Sequence, residues 1–327
     1  MLPNDPTPGH RLALADYAKA QDMIHPVFLN SPQYNCEPLS EALGCNLTLK
    51  VETANPIRSF KGRGASFLIQ SLPKYESPIV GASAGNWGQA LAFSCRQLAR
   101  PLIMFASVNA NPLKVERMRA LGADVKLSGV DFDASKLAAV AFAKANGFHM
   151  VDDGLNPEAS VGAGTMAIEM LQHGATYDAV LVPTGGGAML TGIGRWFKAA
   201  SPKTKVIGVQ ARGADAVEKS WRSGKIVVHP SISTIADGIG VRVPVPEAVA
   251  DMQGTVDDIV LVDDAHIIQA MKLVFDKAGH IVEPSGAAGV AAVVSQPQDF
   301  KGLNVATVLC GGNATADQIM RWCIAEA

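Results

Sequence analysis

A chain of 327 residues, 48% of them apolar and 18% charged, has a soluble globular composition with enough apolar material for one large domain or two modest ones. Its net charge of −2 gives no electrostatic reason to expect a nucleic-acid or anionic-membrane partner. No apolar run reaches the roughly 18–20 residues that a membrane span needs.

The first twenty residues carry prolines and acids where a secretory signal would have a basic start and an apolar core. The cysteines, Cys36, Cys45, Cys95, Cys310 and Cys323, fit neither a zinc spacing nor a disulfide framework. Both features predict a reducing, cytoplasmic setting. In chain order, residues 78–81 read as a strand, 88–99 as a helix, 101–106 as a strand and 112–121 as a helix. A strand at 124–127, a helix over 133–145 and a strand at 148–151 complete a block of βα units between about residues 48 and 150. The second half repeats the style with strands at 179–182, 205–210 and 305–309. Short β-rich runs alternating with helix-compatible stretches predict parallel sheets with flanking crossover helices, in two α/β domains with a cleft between them.

Five short segments carry the chemistry. Lys61 lies in Asn55-Pro-Ile-Arg-Ser-Phe-Lys-Gly-Arg-Gly-Ala65; burial of such an amine disfavours the ammonium and frees a nucleophile, whereas the cluster of Arg58, Lys61 and Arg63 equally fits a solvated basic helix. Gly185-Gly-Gly-Ala-Met189 follows a buried-strand pattern and precedes a helix, where converging backbone N–H groups suit an anion; a glycine turn with only a structural role is the alternative. Ser83-Ala-Gly-Asn86 also joins a strand to a helix, a place for unpaired helix N-terminal amides or simply for an N-capping Ser. Glu283-Pro-Ser-Gly-Ala287 places an acid at a helix start, and Cys310-Gly-Gly-Asn313 closes the last strand.

In this order the five segments resemble the fold-type II pyridoxal-phosphate (PLP) enzymes, in particular the serine/threonine dehydratase (ammonia-lyase) family, from about residue 25 nearly to the C-terminus. The resemblance implies the tryptophan synthase beta-like architecture, with a large PLP-binding domain of residues 1–47 and 151–327 and a small substrate-loop domain of residues 48–150. It implies a homodimer, with a small amino acid as the substrate. By the same resemblance Lys61, next to Phe60, anchors PLP covalently and acts as general base at Cα. Gly185, Gly186, Gly187, Ala188 and Met189 form the phosphate cup. Ser83, Ala84, Gly85, Asn86 and Trp87 form the substrate loop, with Asn86 also reaching the cofactor's phenolic oxygen. Glu283 stands near the ring, Cys310 faces its pyridine nitrogen, and Gly238 lies in a cleft-lining segment beside Asp237.

The chain departs from the family pattern at several points. Ala188 replaces a fourth glycine but still offers a backbone N–H. Trp87 stands where His is usual. Ala84 occupies a position that carries a hydroxyl in serine racemases, which predicts elimination over racemisation. Gly62 follows the lysine where threonine synthase-like relatives usually carry Asp. Gln210 and Ala216 replace carboxylates of a divalent-cation site, which predicts no metal. The expected reaction is loss of the β-hydroxyl from L-threonine or L-serine to give a 2-oxo acid and ammonia. The alternative is threonine synthase-like or other β-elimination or replacement chemistry, and Trp87 with Pro56-Ile57-Arg58 leaves room for an unusual substrate such as a diamino acid.

Overall fold

The computed structural model describes residues 2–73 and 77–324. Among the described residues ten strands form two sheets. The larger sheet joins β1 (Gln33–Asn35), β2 (Asn46–Val51), β7 (Ala179–Pro183), β8 (Lys205–Ala211), β9 (Asp258–Val262) and β10 (Asn304–Leu309) in the order β1-β2-β10-β7-β8-β9. Only the β1–β2 pair is antiparallel. The smaller sheet, all parallel, has the order β5-β4-β3-β6, from β3 (Ile79–Ala82), β4 (Leu102–Ala106), β5 (Asp124–Leu127) and β6 (His149–Val151).

The larger sheet is apolar on both faces, as parallel sheets under crossover helices must be. Leu181, Val209, Val262, Val305 and Leu309 point into one core, and Val180, Val182, Val206, Ile259, Ala306 and Val308 into the other. This alternation along β7 and β10 is the period-2 signature of a strand. A third core joins the smaller sheet to the helices Leu14–Met23, Lys61–Ser71 and Asn86–Gln97. The N-terminal segment is tied to the helix Ala188–Ala200: Tyr17 Oη donates to the Gly192 carbonyl at 2.7 Å, and Arg195 pairs with Asp5 at 2.6 Å.

Each strand read from the sequence is present, with ends moved by a residue or so. The helix expected over 88–99 starts earlier, at Asn86, with the non-helical Gly85 as its N-cap. Strands β1, β2 and β9 are absent from the sequence reading. The expected domain limit between residues 47 and 48 falls inside β2, which runs parallel to β10 from Asn46 opposite Asn304 to Val51 opposite Leu309. That pairing places residues 48–51 in the larger sheet, so the chain passes to the smaller unit only beyond them. Among the described residues no helix is long and apolar enough to cross a membrane.

Candidate active site

Three of the segments singled out in the sequence lie just beyond the carboxyl ends of parallel strands, where open α/β sheets leave a crevice. Ser83 follows β3, Thr184 and the glycines follow β7, and Cys310 follows β10. The segment leading to Lys61 is laid along Cys310: the Phe60 N–H donates to the Cys310 carbonyl at 3.1 Å, and Ser59 bridges to Gly311. Asn55 fixes the turn before it, its Oδ1 accepting from the N–H groups of Ile57 (3.1 Å) and Ser59 (3.3 Å), while Arg58 takes a left-handed φ of 52°.

Lys61 opens the helix Lys61–Ser71. Its Nζ donates to Asp153 Oδ2 at 2.5 Å and sits 4.9 Å from the centre of the Phe60 ring and 5.9 Å from that of Trp87. Phe60, Lys61, Gly64, Trp87, Asp153, Ala159 and Ala188 line one narrow crevice. Burial works to raise the Asp153 carboxyl, but the adjacent Lys61 charge and hydrogen bond outweigh it and hold the group below the ordinary Asp range. Close helix packing sets this geometry. A Cβ on Gly64 would lie 2.5 Å from the Ala159 carbonyl, and one on Gly162 would lie 2.7 Å from the Gly64 Cα, so the helices Lys61–Ser71 and Pro157–Met170 touch backbone to backbone. A Cβ on Gly62 would lie 2.2 Å from the Phe28 ring, so an Asp after the lysine has no room here.

Two residues past Lys61, the guanidinium of Arg63 is fully buried and bonded to both Glu52 (2.8 Å) and Glu169 (2.6 Å), with Lys50 pairing Glu169 at 2.5 Å. Two cations face two carboxylates, so the cluster is internally neutral, and it pins the start of the Lys61 helix to β2 and to the helix Pro157–Met170.

A polar edge runs through Asn86. Asn86 Nδ2 donates to Glu283 Oε1 at 2.6 Å, and Asn86 Oδ1 accepts from Asn313 Nδ2 at 2.8 Å. Arg117 donates to Asn313 Oδ1 at 2.9 Å. Burial and the nearby Asp237 push the Glu283 carboxyl up to about 7. Cys310 Sγ lies 3.5 Å from the Ser285 carbonyl, and burial followed by the Glu283 charge pushes its thiol well above the usual range, so it stays neutral. Gly311 leaves the space that Glu283 occupies: a Cβ there would lie 2.1 Å from Oε1.

The glycine run forms a cradle at the start of the helix Ala188–Ala200. Gly187 has φ +103°, and a Cβ on it would meet Met252 at 2.4 Å, whereas Gly186 faces open space. Among the described residues the N–H groups of Gly185, Gly186 and Gly187 have no backbone acceptor, as at any uncapped helix start. Met189 contributes its amide only, because its side chain is part of the core with Phe60 and Cys310. A Cβ on Gly185 would lie 3.1 Å from the Gly238 carbonyl, so the Gly238 segment closes over the cradle. A phosphate ester fits this helix end, an aldehyde carbon fits the Lys61 amine, and a neutral thiol with a hydrogen-bonding Asn86–Glu283 edge fits a pyridine ring. The residues present therefore suit PLP.

Not every expected residue is drawn in. Ser83 Oγ accepts from the Gly85 N–H within its own loop at 3.0 Å, and Ala84 packs on the apolar core beside Trp87; neither is hydrogen-bonded to Lys61. Sequence reasoning missed Asp153, whose neighbour Asp152 and a turn-forming Gly154 look like an ordinary loop, and it missed the structural use of Arg63 and Asn313. At the position considered for a cation, Gln210 is buried and accepts from the Glu218 N–H at 2.9 Å. Asp215 pairs with His229 at 2.7 Å and Lys219 at 3.0 Å. Lys219 thus already offers the remaining carboxylate a cation, and His229 a hydrogen bond. We expect a chelator to leave activity and melting temperature unchanged; a loss restored by magnesium or calcium would refute this.

The pyridoxal-phosphate dependent enzyme family matches residues 24–311. The chain is 32% identical over 305 residues to the biosynthetic L-threonine dehydratase of Pasteurella multocida, covering 91% of this chain and 60% of that protein. With the corresponding protein of Bacillus subtilis it shares 33% over 304 residues, covering 90% and 71%. Among solved structures, the processed form of threonine deaminase isoform 2 from Solanum lycopersicum superposes with a TM-score of 0.89 at 29% identity, covering 98% of this chain and 95% of that one. Maize serine racemase superposes with a TM-score of 0.87 at 27% identity, covering 94% and 95%. The chain spans 60% and 62% of the length of the Pasteurella multocida and Haemophilus influenzae dehydratases.

Proposed function

We propose that this chain, which belongs to the pyridoxal-phosphate dependent enzyme family of fold type II and takes PLP as its cofactor, is an ammonia-lyase that removes the β-hydroxyl of L-threonine or L-serine. The observation that carries the proposal is Lys61 lining one narrow crevice with Phe60, Trp87 and Ala188 of the glycine cradle. The dehydratase names of the relatives support it.

PLP supplies an electron sink that makes the carbon beside the substrate amino group acidic. Lys61 anchors it and then takes the Cα proton on Nζ. The free amides of Gly185, Gly186 and Gly187, with that of Ala188, hold the phosphate at the positive end of a helix. Asn86, held by Glu283 and Asn313, orients the ring edge. The neutral Cys310 thiol does not hold a proton on the ring nitrogen as an aspartate would, which favours prompt elimination over long-lived carbanions. Amides of the Ser83–Trp87 loop receive the substrate carboxylate. Loss of the α-proton and of the β-hydroxyl as water leaves an enamine, which hydrolyses to a 2-oxo acid and ammonia. The test is a product assay of purified protein over a panel of amino acids: 2-oxo acid and ammonia from L-threonine or L-serine support the proposal, and none from either overturns it.

Ala84 sets a second expectation. Racemisation needs a proton donor on the face of Cα away from Lys61, and a methyl group supplies none. Acid–base groups contribute about 10²–10⁴-fold, so elimination should outrun racemisation by a wide margin. Ala84→Ser should raise D-amino-acid formation, read by chiral chromatography. Wild-type protein that interconverts L- and D-serine as fast as it forms pyruvate would contradict this.

A cytoplasmic homodimer completes the proposal. The five unpaired, buried cysteines support a reducing compartment, and the family resemblance supports the dimer.

A further inference from the structure

Ser285 carries a buried hydroxyl with no hydrogen-bond partner among the described residues, and the residue is only 3% exposed. Leaving such a group unpaired costs free energy, so an orphan beside a cofactor site points to a ligand. Ser285 stands in the first turn of the helix Pro284–Ser295, and Glu283, two residues before it, holds Asn86. A Cβ on Gly286 would lie 2.4 Å from the Gly311 carbonyl, so this helix start presses directly on the segment after β10. On another side the hydroxyl meets Gly238, where a Cβ would lie 2.7 Å from Ser285 Oγ. The carbonyl of that same Gly238 closes over Gly185 of the cradle.

The neighbouring thiol is already engaged. Cys310 has one proton, and its Sγ donates to the Ser285 carbonyl at 3.5 Å. An unprotonated pyridine nitrogen only accepts, and a hydroxyl is a better donor to it than a thiol. The ring nitrogen of PLP lies opposite the carbon that joins the lysine, with the phenolic oxygen on one flank and the phosphate arm on the other. Ser285 has matching flanks: Asn86 and Glu283 on one, and the Gly238 segment over the cradle on the other.

We propose that the Ser285 hydroxyl, rather than the Cys310 thiol, donates the hydrogen bond to the ring nitrogen of PLP, while Cys310 positions Ser285 through its carbonyl. This rests on the proposed function only for its cofactor and not for its substrate.

The test compares wild-type protein with Ser285→Ala and Cys310→Ala, each stripped of cofactor and then titrated with PLP. The near-visible band gives the Kd for PLP, and melting temperatures are taken without and with it. Losing one hydrogen bond to a buried acceptor predicts a Kd raised on the order of tenfold for Ser285→Ala. Without PLP this variant should melt no lower than wild type, because the deleted hydroxyl has no protein partner; a fall there marks a structural hydroxyl and overturns the assignment. With PLP its gain in melting temperature should be smaller than that of wild type. Cys310→Ala should behave the other way round. It should melt lower without PLP, since its side chain belongs to the core, and keep a Kd close to that of wild type. An unchanged Kd in Ser285→Ala, or a loss of affinity as large in Cys310→Ala, overturns the assignment while PLP binding by wild type still upholds the cofactor. A wild-type protein that develops no band with PLP overturns both.

Discussion

Lys61→Ala should remove nearly all activity, with loss of the general base alone worth about 10²–10⁴-fold and loss of the covalent anchor adding to it. Borohydride reduction of wild-type protein, followed by peptide mapping, should place the cofactor label on the peptide containing Lys61, and the variant should carry none. Folding should survive. The ion pair that is lost joins side chains exposed by 20% and 37%, and pairs with that much solvent contact contribute little to stability. The phosphate cradle stays intact, so the variant should still bind PLP, reversibly. A label on any other lysine would sink the assignment.

Arg63→Met should be the most destabilising single change near the site. Arg63 and its two acids are almost wholly shielded from water, and its removal leaves Glu52 and Glu169 with only the Lys50 charge between them. Breaking a buried pair by removing one partner costs about 3–5 kcal/mol, because the abandoned charge remains buried. Denaturant unfolding should show that loss as a lower midpoint. The sign of its pH dependence follows: an abandoned carboxylate has a folded-state pKa raised above its unfolded value, so the deficit is full at high pH and shrinks as pH falls through that raised pKa. Arg63→Lys should lie between the two, keeping charge but losing the forked hydrogen bonds. A loss below about 1 kcal/mol, inside the range of exposed pairs, would show that the cluster relaxes with water. Activity should fall in parallel, since Arg63 fixes the helix that begins at Lys61.

The sequence by itself determined the parallel α/β architecture and the candidate residues that sit on strand-to-helix loops. Strands such as β7 and β10 are apolar on both faces and cannot be stable unless covered by helices, so their pattern announces their place. Lys61, the glycine run, Asn86, Glu283 and Cys310 were legible because each occupies a short local motif. Strand β1 was not, because three residues of mixed polarity carry no period, and β2 and β9 went unread as well. The passage between the two units was misplaced for the same cause: the pairing of β2 with β10 joins residues more than 250 positions apart, and no local pattern encodes it. The partners of the site residues were hidden in the same way. Asp153 reaches Lys61 across 92 positions, Asn86 reaches Glu283 across 197 and Asn313 across 227. A carboxylate in a polar loop looks the same in sequence whether it faces water or an ammonium. Which of them it faces is decided by the backbone contact of Gly64 with Ala159 and Gly162, which brings the loop and the lysine together, and contacts of that kind exist only once the chain has folded.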